Sequence, residues 1–230
     1  MPLSTIELEH TLSINPWFAG LSEAVRRAMV ARSTPLALQA GEPLFRQGER
    51  PRAWYGVLRG AVLLSTLRED GKEHIMAVME AGSWVGESAL VGLQPCLNNA
   101  VAQGPTQVLA LPAEAFADLM RDADFARPVA ELITGRYRLL YEALGHTALL
   151  STRARIAQRL IHLSRGDAAL APQSRRRIRV SQDALAMMLG ITRQTLSLEL
   201  KRMVQQGVLR LGYRCIEVLS DPGLQRISRG

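Results

Sequence analysis

A short stretch near the C-terminus holds the densest set of side chains able to read another molecule. From Val180 to Leu209 the sequence runs VSQDALAMMLGITRQTLSLELKRMVQQGVL. Arg193, Gln194 and Ser197 share the exposed face at the start of a helix in this stretch. An arginine so placed can grip guanine O6 and N7 with two N–H groups, and a glutamine can do the same for adenine N6 and N7. Lys201 and Arg202, further along, suit phosphate oxygens. This is recognition chemistry. A three-helix packing unit with a solvated polar face would carry some of the same residues, and the surrounding charge separates the two readings. Residues 151–230 hold 15 basic and 5 acidic side chains, a net +10, whereas residues 1–150 hold 13 and 16, a net −3. Arg supplies 26 of the 28 basic residues, but a preference for Arg does not put the excess on one side of residue 150. A basic module on a near-neutral one predicts a polyanion partner, most simply nucleic acid.

The elements that must present these residues are legible. Ser181 is a good N-cap, and Asp183 in the first turn suits the helix dipole. Ala184, Leu185 and Met188 face a core. Gly190 ends that helix and allows the sharp turn of a helix-turn-helix. Thr192 caps the second helix, whose buried stripe is Leu196, Leu200 and Met203, and Gly207 stops it. Val208–Leu211 and Cys215–Leu219 are two β runs about Gly212, the wing of a winged helix. Upstream, Ala154–Ser164 reads as an amphipathic helix, followed by a polar loop over 165–177 that ends in Arg175, Arg176 and Arg177.

The front of the chain reads differently. Residues 1–35 are a helical lead-in, with Leu21, Val25, Ala28 and Met29 on one face and Ser22 near its start. From Leu36 to Leu111 short apolar runs alternate with glycine-marked turns, which predicts a compact all-β barrel or roll with no helix-length interruption. The runs are Trp54–Leu58, Ala61–Leu67, His74–Met79 and Gln107–Leu111. Arg68–Lys72 reads as a hairpin turn, with Asp70 and Gly71 supplying the positive φ. Ala113–Arg121 makes a short helix and Pro128–Leu150 a long one. On the long one Ala130, Ile133, Tyr137, Leu140, Leu144 and Thr147 follow heptad spacing, a plausible dimer contact, although packing against the chain's own β domain would use the same residues. The fold class is therefore α+β, with a sensor-sized roll at 1–127, a long helix at 128–150 and a winged helix-turn-helix at 151–230.

Other chemistries lack their residues. No phosphate-cradling loop of the Gly-x-x-x-x-Gly-Lys type, no His-Glu-x-x-His and no Gly-x-Ser-x-Gly is present, and His10, His74, His146 and His162 sit in separate segments without triad partners, so no enzyme is expected. Cys96 and Cys215 cannot form a disulfide framework, and no zinc spacing occurs. No apolar run is long enough to span a bilayer, and Met1–His10 has no signal-peptide pattern, so the expectation is a cytoplasmic protein without a membrane partner.

From about Ala40 to Leu219 the chain resembles the Crp/Fnr-type transcription regulators. Gly41-Glu42-Pro43-Leu44-Phe45 with Gly48 looks like the first strands of their cyclic-nucleotide-binding roll, and Gly60-Ala61-Val62 matches their central turn. Gly82-Ser83-Trp84-Val85-Gly86-Glu87 looks like the start of their phosphate-binding cassette, Thr152–Leu160 like the first helix of their DNA domain, and Thr192-Arg193-Gln194-Thr195 like the start of their recognition helix. The resemblance implies a homodimer paired through the long helix, binding to a palindromic operator in double-stranded DNA, and contact with RNA polymerase. The DNA-facing set it implies is Ser181, Gln182, Thr192, Arg193, Gln194, Thr195, Ser197 and Lys201. The effector-pocket set is Gly86, Glu87, Ser88, Asn98, Asn99, Ala100, Arg136, Leu140 and Tyr141.

The sequence departs from that family at chosen places. Members that bind cyclic AMP end the cassette in Arg-Ser, the Arg neutralising the cyclic phosphate; here the matching place reads Asn98-Asn99-Ala100. Their Thr-Ser pair on the long helix, which hydrogen-bonds adenine, aligns with Leu140-Tyr141. Cyclic AMP is therefore expected to bind weakly or not at all in the usual way, and the effector is unknown. Two cysteines cannot hold an iron–sulfur cluster, and a lone His74 does not make a haem site, so neither metal nor haem is expected. Leu198 stands where the family commonly has a second recognition Arg. The competing function is a nucleotide-type sensory module whose DNA-binding domain is weak or vestigial.

Overall fold

Three helices lead into the first sheet: α1 (Thr5–Leu12), α2 (Pro16–Ala19) and α3 (Glu23–Ala31). Ser22 caps α3 by accepting from Val25 N, as its position predicts, and Asn15 caps α2 by accepting from Trp17 N. The coordinates are a computed structural model, which describes residues 5–67, 73–166 and 175–230; side chains at residues 142–144 and 146–149 also fall outside that description. The expected hairpin turn Arg68–Lys72 and the seam side chains Leu144 and Thr147 lie outside the described residues.

Eight strands make the roll: β1 (Thr34–Leu38), β2 (Pro43–Phe45), β3 (Ala53–Arg59), β4 (Ala61–Leu67), β5 (Glu73–Glu80), β6 (Trp84–Val85), β7 (Asn99–Ala102) and β8 (Thr106–Pro112). They form two four-stranded antiparallel sheets, ordered β1-β8-β3-β6 and β2-β7-β4-β5. Every β run expected from the sequence is a strand here. One helical element does interrupt them, α4 (Glu87–Gly92), because Gly86 at φ 107° turns the chain sharply off β6 into a six-residue helix. A run this short has no periodicity to read.

The pairing of β4 with β5 slips in the middle. Leu64 pairs with Ala77 but Ser65 pairs with Ile75, leaving Met76 as an extra residue on β5. Such a bulge bends its strand and re-aims its side chains. Between the sheets Phe45, Tyr55, Val57, Val62, Met79, Val85 and Val108 form one core. A second core joins the outer face of β3 to the helices, with Trp54 at its centre. The Trp54 ring meets Trp84 at 4.7 Å, Trp17 at 5.2 Å and Phe116 at 5.3 Å between centroids. Offset and edge contacts of this kind add to the burial itself.

After α5 (Ala113–Leu119) comes the long helix α6 (Ala123–Leu149). It begins five residues before the expected Pro128. Asp122 starts it, its Oδ1 accepting from Asp124 N at 2.9 Å, so Pro128 sits inside the helix rather than at its first turn. The Pro128 carbonyl is held by Trp17 Nε1 at 2.6 Å.

The C-terminal part contains α7 (Thr152–Ser164), β9 (Arg177–Ile178), α8 (Gln182–Leu189), α9 (Arg193–Gln205), β10 (Leu209–Gly212), β11 (Cys215–Val218) and α10 (Asp221–Ser228). The wing is three-stranded, in the order β10-β11-β9, so the end of the expected polar loop supplies a strand that pairs Ile178 with Ile216. The core of this part, with Leu160, Leu163, Leu185, Leu196 and Leu200, also takes in Ile75 and Val78 of β5, against which α8 packs.

Trp54→Ala would remove the ring on which four aromatic neighbours converge. The expected loss is about 3–5 kcal/mol of unfolding free energy, the range for large-to-small changes at a buried aromatic, measured as a lowered urea midpoint with unchanged slope.

Candidate nucleic-acid interface and effector cavity

The expected reading helix is α9. Thr192 caps it, its Oγ1 accepting from Thr195 N at 3.1 Å, and Ser181 caps α8 in the same way through Ala184 N at 3.1 Å. Gly190 lies between them at φ 63°, a left-handed conformation that L side chains rarely adopt. Arg155 on α7 then fixes the end of α8 by donating to the Leu189 carbonyl at 2.7 Å. Leu196, Leu200 and Met203 are fully buried, so α9 is docked by one stripe and its other face is left to solvent. Thr192, Arg193, Gln194, Thr195 and Lys201 are exposed on it, and Ser197 is half-buried. Arg193 lies 3.4 Å from Asp183 of α8, an exposed pair. Arg202 is engaged on Glu199, 2.6 Å away.

The sequence reading left out the wing tip and the basic strand. Tyr213 is 92% exposed at the turn of the wing, and Arg214 beside it takes a left-handed φ of 48°. Arg176 and Arg177 are exposed on and beside β9. The sequence signal for this strand is the run of three arginines, and two residues of strand are too few to show an alternation. At the base of the wing Arg210 binds Glu217 through Nε at 2.9 Å and also through Nη2, and this hydrogen bonding holds the Glu217 carboxyl below the usual range.

A cavity of about 300 Å³ opens between the roll and the helices. Its wall is mostly apolar, with Phe45, Leu64, Met76, Met79, Val85, Leu97, Leu139 and Leu140, and its polar members include Glu87, Ser88, Asn98, Arg136, Arg159 and His162. Of the nine residues expected for an effector pocket, the structure brings Gly86, Glu87, Ser88, Asn98, Arg136 and Leu140 to this wall. Asn99, Ala100 and Tyr141 stand outside it. The Asn99 Oδ1 accepts from Gln47 N at 3.0 Å, Ala100 is packed in the roll core, and Tyr141 is exposed, its hydroxyl 2.8 Å from that of Tyr137. Asn98 precedes β7 and Asn99 is its first residue, and the hydrogen bond from Gln47 N occupies the Asn99 side chain outside the cavity wall. Arg159 and His162 were not foreseen, because they belong to α7, a helix read as part of a separate module.

Glu87 is 6% exposed. Its Oε1 accepts from Arg136 Nη1, and Arg136 Nη2 also donates to the Trp84 carbonyl. The other carboxylate oxygen, Oε2, is buried and has no hydrogen-bond partner in the protein. Cys96 lines the same wall, and burial, helped by Glu49, pushes its thiol up. Among the described residues no group of three or more His, Cys, Asp or Glu side chains could hold a metal ion, and no helix is long and apolar enough to cross a membrane.

The arrangement is matched by known proteins along most of its length. Residues 35–123 match the family model of a cyclic nucleotide-binding domain, and residues 154–227 that of a Crp-like helix-turn-helix domain. The chain is 31% identical over 218 residues to the cyclic AMP receptor protein of Thermus thermophilus, covering 94% of this chain and 98% of that protein. The chain belongs to the Crp/Fnr family of transcription regulators. A second Thermus thermophilus relative, the transcriptional regulator SdrP, is 27% identical over 208 residues, 90% of this chain and 97% of SdrP. The solved structure of FixK2 from Bradyrhizobium japonicum shares the fold, with a TM-score of 0.75 at 22% identity over 85% of this chain and 96% of that one. The α+β architecture, the roll and the DNA-binding helix-turn-helix domain expected of a Crp/Fnr regulator are thus all present.

Within this Crp/Fnr chain the Glu87–Arg136 pair ties the cassette to the long helix. Arg136→Met would leave the Glu87 carboxylate buried and uncompensated, which for a buried pair costs about 3–5 kcal/mol. Glu87→Gln together with Arg136→Met should recover part of that loss. Urea melts of the single and double variants measure the coupling.

Proposed function

We propose that this regulator is a homodimer that reads a palindromic site in double-stranded DNA with α9, and that its roll responds to a small ligand other than cyclic AMP. The observation that carries the DNA reading is the position of Arg193 and Gln194. They stand in the first turn of a helix capped by Thr192, docked by a fully buried stripe and open on its other face. Ser181, Gln182, Thr192, Thr195, Ser197 and Lys201 complete the surface. Ser181 and Thr192 act there mainly through the caps they make, and Lys201 acts on phosphate. The net +10 of residues 151–230 supplies the sequence-independent attraction. Its work is therefore on the chromosome, in the cytoplasm, with RNA polymerase as the further partner and no chemistry of its own.

Pairing is assigned to the uncovered face of α6. Phe125 and Val129 turn toward the roll and are fully buried, whereas Tyr137 and Leu140 on the seam are 55% and 51% exposed in the single chain. Ala130 is exposed with them and Ile133 is half-buried against the roll. An apolar stripe of this kind on a long helix is what a parallel partner helix covers.

The effector reading rests on the cavity wall. Where the cyclic-AMP-binding members place a cationic side chain, this chain offers the neutral amide of Asn98, 3.9 Å from the Met76 sulfur. Arg136 is committed to Glu87 and the Trp84 carbonyl. An anion leaving water needs donors that outweigh its lost hydration, and a charge-assisted hydrogen bond contributes about 1.5–3 kcal/mol. Losing one weakens a cyclic phosphate by tenfold or more. A mostly apolar wall favours a ligand with an apolar body.

DNA affinity should fall steeply with salt, and Arg193→Ala should cost about 1–3 kcal/mol per half-site and relax base preference at one position. Lys201→Ala should weaken all sequences alike. Footprints should show two half-sites about 34 Å apart. Unchanged footprints and specificity for Arg193→Ala would overturn the assignment of α9.

The double variant Tyr137→Lys, Leu140→Lys would set like charges against each other across the seam. Sedimentation should show a wild-type dimer at micromolar concentration and a monomeric variant. A wild-type monomer there would sink the pairing.

A further inference from the structure

At Met76 of β5 the wall of the cavity is also a point of contact with the DNA-binding domain. Met76 is the extra residue of the β4–β5 bulge. Its side chain lines the cavity, where its sulfur accepts from Asn98 Nδ2 at 3.9 Å. Its carbonyl accepts from Arg159 Nη2 at 3.1 Å. The same Arg159 nitrogen lies 3.5 Å from the Met188 sulfur on α8, and Arg159 is itself part of the cavity wall. On either side of the bulge, Ile75 and Val78 are packed into the core of the DNA-binding domain. Beyond it, Arg175 reaches Glu80 at 2.6 Å. A bulge is where a strand can yield without breaking its flanking ladder, because the extra residue has no cross-strand partner to lose.

We propose that Met76 and Arg159 are the linkage through which the cavity and the DNA-binding domain act on each other. This rests on the function proposed above. A ligand with an apolar body, seated against Leu64, Met76 and Leu97, displaces the Met76 sulfur from Asn98. The bulge carbonyl then moves with its side chain, and Arg159 changes its hold on β5 and on α8. Since α8 and α9 share one core, the change reaches the reading helix as a shift of a packed unit. Arg159 is a positioning residue in this scheme. The partners it joins are the backbone of the sensor and a side chain of the DNA-binding domain.

Linkage is reciprocal, so the coupling can be read from the DNA end without knowing the ligand. The full chain is bound to an operator duplex selected from genomic fragments, and amide exchange is followed over residues 73–80 with and without saturating duplex. In the wild type, DNA should change exchange in this strand by about fivefold or more, the lower end of ordinary allosteric coupling, although the strand belongs to the roll. Arg159→Ala should still bind the duplex and lose that change to within twofold. Arg159→Gln, which keeps most of the side chain's length and volume, serves the same purpose if the alanine variant melts early. Arg165→Ala, at the exposed end of α7, should behave as wild type. A wild-type strand unmoved by bound DNA, or an Arg159 variant that responds like wild type, would overturn the linkage while leaving the DNA reading intact. A chain that binds no duplex at all would overturn the DNA reading and the linkage with it.

Discussion

A carboxylate taken out of water must be paired, and in this chain that requirement falls on Glu87. The cassette turn at Gly86 places the side chain inside the wall of the roll. The partner here is a cation, Arg136, which comes from the middle of α6, 49 positions along the chain. Arg136 is held a second time by the Trp84 carbonyl. These contacts fix where the long helix crosses the roll and how it is rotated about its own axis. With Arg136 turned inward, Leu139 and Leu140 reach the cavity, and Tyr137 and Tyr141 are turned to solvent. The exposed apolar face of α6 and the part of the cavity wall that this helix supplies are therefore two consequences of one ion pair.

The sequence made the helix-turn-helix plain because each of its signals has a local cause. Ser181, Gly190 and Thr192 act within four residues of themselves, through caps and a left-handed turn. The strands of the roll were legible for the same reason, since alternation and glycine turns are local. What was hidden depended on distant partners. The start of α6 was misplaced because Pro128 is a strong local signal for a first turn, whereas the Asp122 cap and the Trp17 contact to the Pro128 carbonyl are tertiary. The strand β9 was hidden because two residues show no period, and only pairing with Ile216 makes them a strand. Six of the nine residues expected for the pocket reach the cavity wall, and the other three do not. A family alignment transfers positions along the chain, but where a side chain goes depends on its distant partners, and Asn99 is held by the backbone of Gln47.

The two ends of the cavity carry different kinds of information. Glu87, Ser88 and Asn98, on one side of the wall, belong to the roll. Arg159 and His162 belong to α7, so the DNA-binding domain supplies part of the wall it would have to be governed by. A hydrophobic core normally belongs to one domain, yet Ile75 and Val78 of the roll are buried among the leucines of α7, α8 and α9. Burial of this sort is non-directional and does not by itself specify a register. The hydrogen bond from Arg159 to the Met76 carbonyl and the Arg175–Glu80 pair supply the direction that the apolar contact lacks.

Leu140 joins these parts. It is half-exposed on the seam and also lines the cavity, and it stands where cyclic-AMP-binding members carry a polar residue for adenine. An apolar side chain at that point suits both tasks at once. It can pack against a partner helix at a heptad position, and it can cover an apolar ligand without leaving a hydroxyl unsatisfied. A polar residue there would demand a polar ligand to satisfy it. The apolar side chain of Leu140 and the mostly apolar wall around it therefore belong together.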